Sequence, residues 1–200
     1  MGLGDWGHAW IKPQWDELIQ FCNTSIIYGN HDKVKLLRRL RNTDGSRVLL
    51  HDGETREIAG LRFGFINGVI SETKHMKQGV PRKSLEEYVR VGSKLSGVDV
   101  LCTHESPLNI DRISGTEYHG LTRKSSGFEG IEKVITAIKP KLAFSGHLGG
   151  PYSLGKVGET LSLRVDSSPS EKHIALLDSE TGILQVYHDW ERVKSVSGIF

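Results

Sequence analysis

The sequence predicts an α/β protein whose mixed β-sheets are covered by helices. Two observations carry this. In the first part of the chain, stretches with helical spacing of apolar residues alternate with short continuous apolar runs, the pattern of buried strands between helices. The last third instead reads as consecutive alternating strands. A third observation sets the scale: 200 residues with no repeat, low-complexity tract or interdomain linker fit one domain, residues 1–200, with a sizeable core.

Taken in order, PQWDELIQF (13–21) places Trp15, Leu18, Ile19 and Phe21 at near-helical spacing, with proline in the first turn. Ser25–Tyr28 is a buried strand, and HDKVKLLRRLR restarts a helix with Val34, Leu37 and Leu40 on one face. SRVLLHD, TREIAG and LRFGFING follow as strands joined by tight Asp-Gly and Gly turns. Residues 71–82 are a polar loop, and 84–95 form a helix turning Leu85, Tyr88, Val89 and Leu95 inward. VDVLCTHESP is a fully apolar strand stopping at Thr103-His104, followed by a long polar loop over 107–126. FEGIEKVITAIKP is a helix ended by Pro140, and KLAFSGHLGGP is another strand, ending in Gly-His. ETLSLRV, KHIALLD and GILQVYHDW complete the strands.

Composition excludes several classes. Hydrophobic residues make up 37% and charged residues 25%, which is too apolar for a disordered chain. A formal net charge of +2 does not argue for nucleic acid or an anionic membrane, and the basic clusters Arg38-Arg39 and Arg82-Lys83 read as solvated faces. No apolar run approaches the ~18 residues of a membrane span, and MGLGDWGHAW lacks the features of a signal peptide. A cytoplasmic protein is expected. Cys22 and Cys102, each in an apolar setting without a C-x-x-C partner, are expected as buried free thiols.

The chemistry gathers where apolar runs stop. IIYGNHD presents Asn30, His31 and Asp32; VDVLCTHE presents His104; KLAFSGH presents His147; GLGD presents Asp5. In α/β sheets ligands collect beyond the carboxyl ends of strands. Asp, Asn, His and His together make a mixed oxygen/nitrogen cage that suits Mn, Fe or Zn, with no thiolate to demand a soft metal. Glycine precedes three of the four candidates, at Gly4, Gly29 and Gly146, where it lets the backbone turn sharply and approach an ion. Each piece alone is unspecific, since Gly-Asp is a common turn and a lone histidine after a strand is usually a loop residue. The ordered set GD, GNHD, THE, GH, each on its expected element, is far more specific.

On these motifs the chain resembles the calcineurin-like metallophosphoesterases, from about Gly4 to about Asp178, with IAGLRFGFINGV and LSLRVDSS similar to further strands of that family. The resemblance implies two mixed sheets packed as a sandwich and flanked by helices, four layers in the order α/β/β/α, with metal bound above the strand ends. It implies Asp5, Asn30, His104 and His147 as ligands of a divalent ion, most naturally Mn²⁺, with Fe, Zn or Ni as alternatives and one or two ions held. His31 would be the general acid at the leaving oxygen, and Asp32 would orient its imidazole. The substrate would be a phosphorylated small molecule or nucleotide, with nucleic acid disfavoured and no membrane. Two departures stand out. No D-x-H motif precedes the GD motif, so relative to the family a first strand is expected to be missing, through a shortened sequence or a divergent chain, and GHLG has Gly149 where the family has the second histidine of G-H-x-H. Both losses fall on the first metal, leaving a slow enzyme with one ion, a site rebuilt by His8 or His119, or a non-catalytic scaffold that keeps one ion. Arg112, His119 and Arg123 are placed to meet phosphate oxygens or to face solvent.

Overall fold

The computed structural model describes residues 1–6, 10–72, 76–77, 79–107, 111–112, 126–166 and 170–200, the side chains of 111–112 and 126–128 excepted. Its centre is a seven-stranded mixed sheet. The strands are β1 (Thr55–Ile58), β2 (Leu61–Ile66), β5 (Val100–Thr103), β7 (Leu142–Ser145), β9 (Thr160–Arg164), β8 (Ser153–Val157) and β6 (Asp111–Arg112), in that spatial order. The four middle strands β2, β5, β7 and β9 run parallel, with antiparallel pairs at both edges. Three further strands, β10 (His173–Asp178), β11 (Ile183–His188) and β12 (Glu191–Val196), form an antiparallel sheet. A small hairpin joins β3 (Met76–Lys77) to β4 (Val80–Pro81).

Side-chain alternation explains the layers. Phe63, Phe65, Val100, Cys102 and Leu142 point to one face of the large sheet and pack with Leu184 and Val186 of β11. The intervening Ile66, Leu101 and Ala143 point to the other face, under α3 (Leu85–Gly92) and α4 (Ser126–Ile138), against Tyr88, Ile131, Val134 and Ile135. Both faces of the parallel strands are therefore dry, which is why their sequences read as continuous apolar runs. The architecture is the expected sandwich of sheets flanked by helices.

The N-terminal portion builds a second flank. Gly2 bridges Ile26, and Ile26 bridges Leu49, all parallel. Ile27 points into the sandwich core, while Ile26, Tyr28 and Leu49 face α1 (Lys12–Phe21) and α2 (Val34–Leu37). Asn67 stitches this layer to β2. Its side chain accepts from Tyr28 N and donates to Leu50 O, and its own amide donates to Asp52.

Several elements differ from expectation. The predicted helix over HDKVKLLRRLR is only four residues long, because beyond Leu37 the amides of Arg39 and Leu40 tighten onto carbonyls three residues back; Val34, Leu37 and Leu40 are nonetheless buried. The loop at 71–82 contains β3 and β4, and the loop at 107–126 contains β6; residues 73–75, 78, 108–110 and 113–125 lie outside the described residues. Strands β8 and β12 escaped the sequence. β12 follows a turn in which Asp189 and Trp190 both adopt positive φ (47° and 73°), a hairpin geometry that usually advertises itself with Asn-Gly. Cys22 is exposed, not buried, because it caps the C-terminus of α1 with its amide on Leu18 O; Cys102 is buried as expected, and burial pushes its thiol up to about 12. Among the described residues, no helix is long and apolar enough to cross a membrane.

Candidate metal centre

Adjacent parallel strands end on the same edge, so β5 and β7 deliver His104 and His147 side by side, with Gly146 N donating to His104 O at 3.3 Å. The parallel pairing of Gly2 with Ile26 brings Gly4-Asp5 and Gly29-Asn30 to that edge in the same way. The closeness of approach depends on glycine. A Cβ on Gly29 would lie 2.2 Å from Asp5 Oδ1 and 2.4 Å from His104 Cε1, and one on Gly4 would lie 2.4 Å from Gly29 N. Trp6, directly after Asp5, anchors the turn by packing its ring 4.9 Å from the buried Trp15.

His104 is the hub, fully buried. Its Nδ1 lies 2.7 Å from the carbonyl oxygen of Leu3, and a carbonyl only accepts, so Nδ1 carries the proton. In the neutral ring Nε2 then presents a lone pair. Around that nitrogen lie Asn30 Oδ1 at 3.2 Å, Asp5 Oδ2 at 3.3 Å and His147 Nδ1 at 3.1 Å. One carboxylate oxygen of Asp5 and one ring nitrogen each of His104 and His147 lie within 4.8 Å of one another. A carboxylate oxygen, an amide oxygen and two imidazole nitrogens converge on one space, a donor set that suits a cation. The backbone carbonyl behind the inner histidine is the usual support of a metal-bound imidazole. Asp5 and His147 both adopt left-handed backbone, φ 58° and 69°, a conformation that non-glycine residues hold mainly where the surroundings enforce it.

The electrostatics follow the same logic. Burial works to raise Asp5, but the hydrogen bond and charge of His104 and the amide of His31 hold it below the usual carboxylate range. Burial alone would depress His104, yet Asp5 beside it and the Leu3 carbonyl lift its pKa above the ordinary value. His147 is open to solvent on one side, but the protein packed around its ring, and then the neighbouring His104, lower it to about 4. The cluster thus keeps one imidazole neutral and favours one cation, a proton or a metal ion, beside Asp5.

Around the cage, Asp32 is buried, and its Oδ2 accepts from Asp5 N at 2.8 Å and Gly29 N at 2.7 Å. It therefore ties together the two turns that carry Asp5 and Asn30, a role the sequence did not disclose. Burial raises its pKa, and the two amides partly offset that. His31 is exposed at the rim, with its amide donating to Asp5 Oδ1 at 2.8 Å. Behind His104, Glu105 is buried and accepts from Ile70 N at 2.8 Å. Gly149, where the resemblance places another histidine, lies beside Asp166, whose Oδ2 accepts from Gly150 N; Arg164 donates to the carbonyls of Leu148, Gly149 and Pro151, bracing that loop. His8, His119 and Arg123 lie outside the described residues, and Arg112 lies on β6.

No protein-family profile matches the chain, and no curated protein does. Solved structures do resemble it. One crystal structure superposes with a TM-score of 0.63 at 18% identity, over 88% of this chain and 70% of the other. TT1561 of Thermus thermophilus also gives 0.63, at 14% identity, over 90% of this chain and 80% of its own. GAP50, the anchor in the inner membrane complex of Plasmodium, gives 0.53 at 11% identity, over 98% of this chain and 74% of its own. At these identities the likeness is one of fold.

Proposed function

We propose that the chain is a calcineurin-like metallophosphoesterase, a metal-dependent hydrolase of a phosphomonoester or phosphodiester in which Asp5, Asn30, His104 and His147 hold a divalent ion, most naturally Mn²⁺. The observation that supports this most directly is the convergence of Asn30 Oδ1, Asp5 Oδ2 and His147 Nδ1 on His104 Nε2, with the Leu3 carbonyl fixing the His104 tautomer. Two oxygens suit a hard ion such as Mn²⁺ and two imidazole nitrogens suit Fe or Zn, so the mixed set fits any of the three. When bound, such an ion supplies Lewis-acid stabilisation of phosphoryl oxygens. The protein's own groups do the rest. Asp32 holds the Asp5 and Gly29 turns in register. Asp5 fixes the position of the His31 amide, and His31, at the exposed rim, donates a proton to the leaving oxygen. With Gly149 in place of a further imidazole, turnover is expected to be slow.

General acid catalysis contributes about 10²–10⁴-fold, so His31→Ala should lower kcat by that order on an alkyl phosphate. The loss should be smaller on nitrophenyl phosphate, whose leaving group needs less protonation. The test is hydrolysis of both substrates and of bis-nitrophenyl phosphate with added Mn²⁺, comparing the wild type, His31→Ala and His104→Ala. Equal rates for all three would remove the catalytic assignment. A second reading, a binding scaffold that keeps the ion without turnover, is favoured by Gly149 and by a fold neighbour described as an anchor. It predicts one tightly held Mn²⁺ per chain and no rate above the metal-only background.

A further inference from the structure

Two histidines outside the cage face one another across β10 and β11. His173 and His188 are directly opposite partners, and by strand alternation they share the core-side face with Leu184 and Val186. Asp189 N donates to Lys172 O, so Lys172 and Asp189 form a hydrogen-bonded pair. His173 and His188 are then the adjoining narrow pair, where side chains come closest. Their rings stack accordingly, with 4.7 Å between centroids and 23° between planes. His173 is only 5% exposed, and its Nδ1 is buried with no hydrogen-bond partner among the described residues. A neutral ring can leave Nδ1 bare. A protonated ring cannot, because both of its nitrogens carry a proton. The Nδ1–H would then sit in a dry place without an acceptor.

The groups packed around the ring do not supply one. Tyr152, just before β8, holds its ring 5.6 Å away at a tilt of 57°. Asp166, after β9, takes His173 N on its main-chain oxygen at 2.9 Å and Gly150 N on its carboxylate at 3.2 Å. Asp189 is paired with Lys172 Nζ at 3.0 Å. Asp166 and Glu171 attract a charge on the ring, but burial, and then the neighbouring His188, outweigh them and hold His173 below the ordinary imidazole range.

We propose that the stacked His173–His188 pair is an acid-sensitive latch of the small sheet. With both rings neutral, the start of β10 is seated against Tyr152 and the Asp166 main chain. A proton on His173 has to bring Nδ1 to water, which unstacks the rings and lifts the start of β10 off the Asp166 carbonyl. The latch lies close to the cage along the chain, because the same Asp166 holds Gly150, three residues after His147. It needs no ion and does not depend on the phosphoesterase proposal. The folded ring binds a proton less well than the unfolded chain does, so the seated form is fully favoured above about pH 6.5 and weakens as pH falls below it.

Hydrogen exchange on the full chain, read by mass spectrometry over β10 and corrected for the intrinsic pH dependence of exchange, measures the opening. A chelator is present throughout, so that loss of an ion from the cage plays no part. Between pH 7 and pH 5 the opening should rise several-fold, with about 30-fold as the ceiling set by an ordinary imidazole. His173→Phe keeps an aromatic ring beside Tyr152 and cannot take the proton, so its opening should change by less than about twofold. In unmodified protein the His173 Cε1–H resonance should titrate below about pH 6.5, in step with the exchange, so the test stands even if the variant folds poorly. Equal pH dependence in wild type and His173→Phe overturns the latch. So does β10 exchange that is unchanged between pH 7 and pH 5, or a His173 that titrates at or above the ordinary value.

Discussion

At the scale of single residues, three contacts made by main-chain atoms decide how the centre behaves. The Leu3 carbonyl selects the His104 tautomer, and the buried Asp32 carboxylate satisfies the amides of Asp5 and Gly29. Asp32→Ala would leave two amide donors without an acceptor, at about 1–3 kcal/mol for each that stays dry. We expect a stability loss of roughly 2–4 kcal/mol by urea denaturation, together with weakened Mn²⁺ binding. Asp32→Asn retains an acceptor oxygen and should lose much less. A wild-type denaturation midpoint in Asp32→Ala would show that water replaces the carboxylate. The pH dependence of metal binding has a definite sign. Asp5 and the Leu3 carbonyl raise the proton affinity, and so the pKa, of His104, so an incoming ion competes with a proton there. Mn²⁺ affinity should therefore climb as pH rises through that pKa, with net proton release. Titration calorimetry in buffers of different ionisation enthalpy measures the release, and proton uptake on binding would contradict the charge assignment. His147, at about 4, is already neutral across this range and contributes little.

At the scale of elements, the crossing of α3 and α4 shows how packing overrides propensity. Gly92 closes α3, and a Cβ there would lie 2.3 Å from Cγ2 and 2.6 Å from Cγ1 of Val134. Alanine is the better helix former by about 1 kcal/mol. Val134, however, is buried and β-branched, with essentially one helical rotamer, so it cannot swing away. Overpacking of this kind costs about 1–3 kcal/mol, and Gly92→Ala should be destabilising on balance. A raised thermal midpoint for that variant would mean the helices separate freely. The start of α3 was legible in the sequence, because Ser84 and Glu87 form a reciprocal capping box, Glu87 N to Ser84 Oγ at 3.1 Å and Ser84 N to Glu87 Oε2 at 2.9 Å. The end of α2 was not, since nothing in KLLRRLR announces a tightened turn.

At the scale of the whole molecule, the sandwich depends on the few side chains that β11 sends into the large sheet. Leu184 and Val186 are fully buried against Phe63, Phe65, Val100, Leu161 and Leu163. Leu184→Ala should cost about 2–5 kcal/mol. Leu176, on β10 and 52% exposed, should tolerate alanine within about 0.5 kcal/mol. Equal denaturation midpoints for the two variants would mean that the small sheet does not share the core.

By itself, the sequence determined the alternation of elements, the apolar strands, and the polar residues stationed at their ends, because hydrophobic period and glycine placement are local properties. Asp5, Asn30, His104 and His147 could be named from four short motifs for that reason. Tertiary structure alone decided that these groups face one point. That convergence follows from strand order and parallel pairing, and its central contact, His104 to Leu3, spans 101 residues of chain. The Leu3 carbonyl carries no side-chain identity to read, and Asp32's hold on two amides looks from the sequence like any acidic residue in a loop. Arg82 and Lys83 are likewise indistinguishable as a basic pair. Only their surroundings show that Lys83 is saturated while Arg82 keeps a dry, unsatisfied N–H, because the pairing of a charge depends on which distant acceptors the fold brings near it.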